Sequence, residues 1–163
     1  MAKLTVKART RRLSRFVKEM TRGLTVEASD IMVRKLSFDL LADIIELTPV
    51  DTGHARAGWT AFADEVGIPY NISGPRVTSD ALSSGKDLSE FSIQKTPKGT
   101  IVVITNGVAY ILALEFGHSD QAPAGMVRLS IQKLIFLGTA KEITEEVLKN
   151  QIIEADKKSR ILA

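Results

Sequence analysis

Apolar positions recur every three or four residues between Thr25 or Ser29 and Leu47. Val33, Leu36, Leu40, Ile44 and Leu47 form a stripe that Ile31, Leu41 and Ile45 widen, and this period predicts an amphipathic helix. Asp30, Arg34, Lys35, Asp39, Asp43 and Glu46 fall mostly off the stripe and read as its solvated face. Thr48-Pro49 stops the helix, because the proline ring disfavours helical geometry at the residue before it. A second helical pattern covers Ala124 to about Lys158, as one helix or two with Gly138 as the point of a kink. Val127, Ile131, Leu134 and Ile135 mark its buried stripe before Gly138, and Ile143, Val147 and Leu148 after it. Thr100 to Thr105 (TIVVIT) is a β-branched run after a Pro97-Lys98-Gly99 turn, and Ile93 begins the strand before that turn, giving a hairpin. Trp59 to Ala63 reads as a further strand. The expected fold is α+β: a small antiparallel β-sheet packed by a long N-terminal-half helix and a long C-terminal helix, in one domain over residues 1–163.

Two segments stand outside this pattern. Residues 1–26 form a basic N-terminal arm or helix in which Leu13, Phe16, Val17 and Met20 recur at helical spacing, a narrow apolar face suited to docking on the body. Residues 64–92 are rich in Gly, Pro, Ser and Asp, have little period, and are too long for an ordinary connection. They read as a long loop that is mobile or orders on a partner, with Ile68, Tyr70, Ile72, Leu82, Leu88 and Phe91 available for burial.

Composition changes the picture in two ways. The net charge of the 163 residues is only +3, yet Lys3, Lys7, Arg9, Arg11, Arg12, Arg15, Lys18 and Arg22 are opposed before Glu27 by Glu19 alone. Such a run attracts DNA phosphates or an acidic neighbouring subunit, so Arg9, Arg11, Arg12, Arg15, Lys18 and Arg22 are candidate contacts. With no cysteine, neither a disulfide scaffold nor a thiolate site is available. No apolar run is long enough to span a bilayer, and the basic start lacks the apolar region of a signal peptide.

Residues with positional constraints concentrate in Thr48–Trp59 (TPVDTGHARAGW) and Asn106–Arg128 (NGVAYILALEFGHSDQAPAGMVR). Asp51 or Thr52 can cap a short helix over Gly53–Gly58, from which His54, Arg56 and Trp59 project. Asn106 and Gly107 turn the chain from the strand into a short apolar helix that Gly117 can end in left-handed geometry. Gln121 to Gly125 then restart a long helix, with Pro123 tolerated near its first turn. Glu115 is an anchor for Arg56 or Arg128, whose planar forks suit a carboxylate. Trp59, Tyr110 and Phe116 read as core.

The two histidines, His54 and His118, lie near Asp51, Glu115 and Asp120, which raises a metal-dependent hydrolase as one alternative. There is no His pair at i, i+4, no nucleophile elbow of the G-x-S-x-G type and no phosphate-binding glycine loop. The expectation is therefore no enzyme activity, no cofactor, no metal and no catalytic residues. A second alternative is a DNA-binding module that uses the basic arm.

The order TPVDTG-x-AR-x-x-W, then N-x-x-x-Y-x-x-x-LE-x-G-x-S-x-QAP-x-GMVR, resembles the HK97 gp10-like tail-component proteins of tailed bacteriophages, the tail completion or neck proteins. The resemblance covers Leu36 to about Leu134, interrupted between Asp64 and Phe91. It implies a structural virion protein in head–tail joining and tail assembly, made in the host cytoplasm and resident in the virion tail or neck. Its implied partners are the tail terminator, head-completion proteins, further copies of itself in a homo-oligomeric ring and packaged DNA, with no membrane. The motif residues are Asp51, Thr52, Gly53, Arg56, Trp59, Asn106, Tyr110, Glu115, Gly117, Pro123 and Gly125.

Overall fold

The computed structural model describes residues 15–18, 22, 24–97, 99–136 and 139–161. Its elements are α1 (Val26–Leu47), α2 (His54–Ala57), α3 (Thr60–Val66), α4 (Ser79–Lys86), β1 (Ser89–Thr96), β2 (Gly99–Asn106), α5 (Ile111–Glu115), α6 (Val127–Phe136) and α7 (Thr139–Ile161). The class is α+β, with an antiparallel hairpin as the sheet; of the two long helices expected to pack it, α1 lies on the hairpin, whereas α7 packs on α1 and α6.

Helix α1 is the spine. The Thr25 hydroxyl accepts the Ala28 amide at 3.2 Å and caps its start, and buried Thr48 ends it before Pro49. Its C-terminal half contributes Leu41, Ile44 and Ile45 to a core with Ala55, Trp59, Phe62, Val108, Ile111 and Met126. Its N-terminal half contributes Ala28, Met32 and Leu36 to a second cluster with Leu134, Ile143 and Val147. The stripe is thus rotated from the one expected: Met32 is buried and Ile31 is 56% exposed. Asp39 and Glu46 are exposed as expected, but the other charged positions are less solvated. Asp30 accepts the Thr100 hydroxyl at 2.6 Å and faces Lys95 at 3.3 Å, Asp43 faces Lys133 at 3.6 Å, and Lys35 pairs with Glu146.

Strands β1 and β2 pair with Phe91 opposite Ile104 and Ile93 opposite Val102. These four line the inner face and pack on the core. Phe62 links this face to α1, its ring 4.7 Å from Phe91 and 5.3 Å from Phe38.

Three expectations are corrected. Trp59–Ala63 is not a strand but leads into α3. Trp59, Phe62, Ala63 and Val66 recur at i, i+3, i+4 and i+7, and with Phe62 and Ala63 buried the helical period wins over β-propensity. Residues 64–92 are not one long loop: α3 extends into them, α4 occupies Ser79–Lys86, capped by the Thr78 hydroxyl, and β1 starts at Ser89. Within this stretch Asp64 accepts the Tyr70 hydroxyl at 2.6 Å and pairs with Lys86. The helix expected to restart over Gln121–Gly125 begins only at Val127 as α6, so Pro123 stands in the turn that precedes it. Helices α6 and α7 flank residues 137–138, and the expected kink at Gly138 lies outside the described residues.

The basic arm is described only in part. Arg9, Arg11 and Arg12 lie outside the described residues; Arg15, Lys18 and Arg22 lie within them and are exposed. Phe16 and Val17 pack against the second cluster, as the narrow apolar face predicted.

Candidate functional site

The two motifs meet behind α2. Gly53 is left-handed, with φ of +86°, and lets the chain enter α2 against Leu82, Ile72 and Val77. No side chain caps this helix. Asp51 and Thr52 are both exposed, and Asp51 instead pairs with Arg76 at 2.6 Å. The expected cap fails because α2 has only four residues and starts from a left-handed glycine rather than an extended cap residue.

Buried Asn106 joins the motifs. Its amide donates to the Ala55 carbonyl at 2.8 Å and its carbonyl accepts the Val108 amide at 3.0 Å. A Cβ on Gly58 would strike the Asn106 side chain, so this contact requires glycine. Trp59 is buried beside it, and among the described residues no hydrogen-bond partner is seen for its indole N–H.

Arg56 and Glu115 do not pair; each serves a helix terminus. Arg56 donates to the backbone carbonyls of Thr48, Glu46 and Asn71, at 2.6–2.9 Å. It thereby satisfies carbonyls that the end of α1 leaves orphaned and holds residue 71 onto them. Burial lowers the affinity of this guanidinium for its proton, opposed by the charge of Glu46. Glu115 accepts the amides of Met126 at 2.9 Å, Val127 at 2.8 Å and Arg128 at 3.0 Å. Its carboxylate is the anion at the N-terminus of α6, where the helix dipole and orphan N–H groups favour negative charge. Arg128 adds Nε at 3.2 Å, so of the two arginine partners expected for Glu115 the structure selects Arg128.

Gly117 ends α5 as expected. With φ of +84° it allows His118 N–H to reach the Ala113 carbonyl at 3.0 Å and Gly117 N–H to reach that of Leu114 at 3.1 Å, a Schellman closure. Gly125 packs directly on Glu115, leaving no room for a side chain, and Pro123 lies against Gly117.

The aromatic expectation holds for Trp59 alone. Tyr110 is 45% exposed and Phe116 64% exposed. The Arg128 guanidinium stacks 5.3 Å over the Phe116 ring, and the His54 ring lies 6.2 Å from Tyr110. Burial, then the charge of Asp51, pushes the Tyr110 phenol up. His54 Nδ1 lies 3.0 Å from the Ser84 hydroxyl, whereas His118 Nδ1 lies 3.1 Å from the Ala113 carbonyl. Among the described residues no three His, Cys, Asp or Glu side chains gather closely enough for a metal ion. The Ser84 and Arg76 contacts were invisible in sequence, since nothing in a stretch of little period shows that it will fold back on α2.

The geometry therefore offers a double turn in which Arg56, Asn106 and Glu115 bond to backbone, and an exposed rim along α5, with Tyr110 before the helix and the stacked Phe116–Arg128 pair after it. Comparison with known protein families, curated proteins and solved structures finds no match for this chain. Among the described residues no helix is long and apolar enough to cross a membrane.

Proposed function

We propose that this protein is a structural component of a tailed-bacteriophage virion, a tail completion or neck protein that acts in head–tail joining. The motif order quoted above is the basis of the reading. One observation supports it beyond sequence: Asp51 apart, the charged motif residues are used in turn and helix-end bonds, while the motif residue Tyr110 and the adjoining Phe116 stand exposed, Phe116 under the Arg128 guanidinium. Exposed aromatic and arginine side chains are what interfaces use as anchors. In this reading the Tyr110–Phe116–Arg128 rim meets a neighbour in the ring or on the tail terminator and head-completion proteins. The chain has no enzymatic role and resides in the virion.

The test is to locate the chain in purified particles by mass spectrometry and labelled imaging, then to substitute the rim. Phe116→Ala and Tyr110→Ala should change Tm by less than ~2 °C, because both side chains are largely outside the core, and should cut the yield of joined particles. Absence of the chain from virions and tails overturns the reading. The exposed positions of Arg15, Lys18 and Arg22 favour one further contact, with DNA. Affinity of the isolated protein for duplex DNA should then fall steeply with salt, and the slope should shrink when the three are replaced by Gln.

A further inference from the structure

Asn106 is followed by Gly107, the one Asn-Gly step in the sequence; Asn71 precedes Ile72 and Asn150 precedes Gln151. An asparagine side-chain amide is open to attack by the backbone nitrogen of the next residue, and glycine, with no side chain, leaves that nitrogen unshielded. In this reaction Gly107 N bonds to Asn106 Cγ, the Cγ–Nδ2 bond breaks, and Nδ2 leaves as ammonia with the proton given up by the Gly107 amide. Water then opens the five-membered imide at either carbonyl, to aspartate or isoaspartate. The net change is one water taken up and one ammonia released.

The fold holds each participant. Gly107 N–H, whose proton has to leave, donates to the Leu88 carbonyl at 2.9 Å. Asn106 Nδ2, the leaving group, donates to the Ala55 carbonyl at 2.8 Å, and Oδ1 accepts the Val108 amide at 3.0 Å. The side chain is buried, which keeps water from it, and it packs against Gly58 with no space even for a methyl group. Closing the imide therefore needs the end of β2 to leave Leu88 and Asn106 to leave Ala55 together, a local opening of the junction between the two motifs.

We propose that Asn106 is a deamidation site that this junction holds shut, and that reaction with water, once the junction opens, keeps the motifs from rejoining. The product does not fit back. A carboxylate has no donor for the Ala55 carbonyl, so two acceptors would face each other, with a charge buried where the amide was neutral. Isoaspartate adds a carbon to the main chain between residues 106 and 107, which takes the Gly107 amide out of step with Leu88. The site is independent of the head–tail reading, since it needs only the junction.

Peptide mapping of the full chain tests it, after incubation in mildly alkaline buffer with and without unfolding urea. Asn106 should convert to aspartate and isoaspartate at least about tenfold faster in urea, because a site that reacts only when open is slowed by its open fraction. Asn71 and Asn150 should stay intact in the same samples, and Gly107→Ala should slow the reaction in urea by shielding the attacking nitrogen. When urea is removed, chains modified at Asn106 should fail to regain the native melt that unmodified chains regain. Asn106→Asp, which carries the aspartate product from synthesis, should fold with a lowered Tm or not at all. Equal rates at Asn106 with and without urea, or a wild-type Tm for Asn106→Asp, overturns the proposal.

Discussion

Single residues in this protein act mainly by closing helix ends, and magnitudes separate those that matter. Glu115 is buried and accepts three backbone amides, so Glu115→Ala strands orphan N–H groups and should cost about 3 kcal/mol or more. Arg128 is half exposed, so Arg128→Ala should cost under ~1 kcal/mol despite touching the same carboxylate. Arg56→Ala should cost about 2 kcal/mol through the carbonyls of Glu46 and Thr48, and Lys should not restore it, lacking the planar fork. Arg56 and Glu115 share no partner, so Arg56→Ala and Glu115→Ala should add within ~0.5 kcal/mol in denaturant titrations; a coupling well above that would mean the two sites communicate. Asp30 provides a pH signature. The hydrogen bond from Thr100 lowers its pKa, burial opposes, and Arg34 and Lys95 lower it further. A carboxylate depressed in the folded state stabilises fully above its ordinary value of about 3.9, and that contribution is lost as pH falls through the lower folded value. The Tm gap between wild type and Asp30→Asn should therefore be constant at neutral pH and shrink below pH ~4; a gap that persists at lower pH would exclude this origin.

At the scale of elements, α4 shows how a stretch without period becomes ordered. It packs on α2 through Gly85, where an added Cβ would run into the His54 carbonyl and press on Ala57. In an exposed helix Gly→Ala gains up to ~1 kcal/mol. Here the sign should reverse, and Gly85→Ala should destabilise by about 1–3 kcal/mol through overpacking. A melt showing stabilisation would mean α4 is not seated on α2. The same element explains why sequence reading missed it: Ser79–Lys86 offers only Ala81 and Leu82 as apolar residues, too few for a visible stripe. Its start is fixed by the Thr78 hydroxyl, an N-cap that the reading of this stretch as a loop overlooked.

At the scale of the molecule, α1 carries two clusters end to end, and the arm contributes to one of them. Phe16 and Val17 are half-buried against Met32, Leu36, Ile143 and Val147. Deleting residues 1–22 removes apolar burial worth about 1.5–3 kcal/mol, and should lower Tm by more than ~3 °C. An unchanged Tm would show that the arm adds nothing to the core. This matters for assembly assays, because a loss of joining on truncation has to be separated from a loss of stability. Phe16→Ala alone should reproduce part of the Tm change without removing any basic residue.

What the sequence determined by itself was local. α1 and its stop at Thr48-Pro49, the hairpin around Thr100–Thr105, the left-handed closure at Gly117 and the arm's narrow apolar face follow from period, propensity and turn chemistry, which act over a few residues. Tertiary structure decided the partners. Glu115 stands equally near Arg56 and Arg128 as chemistry, and only the fold of 119–126 brings the start of α6 onto its carboxylate. Which face of α1 is buried was likewise settled by where α6, α7 and the hairpin dock, moving Ile31 out and Met32 in. Trp59–Ala63 became a helix because several of its apolar positions had somewhere to be buried at helical spacing, and that depends on Phe38 and Phe91, residues distant in the chain.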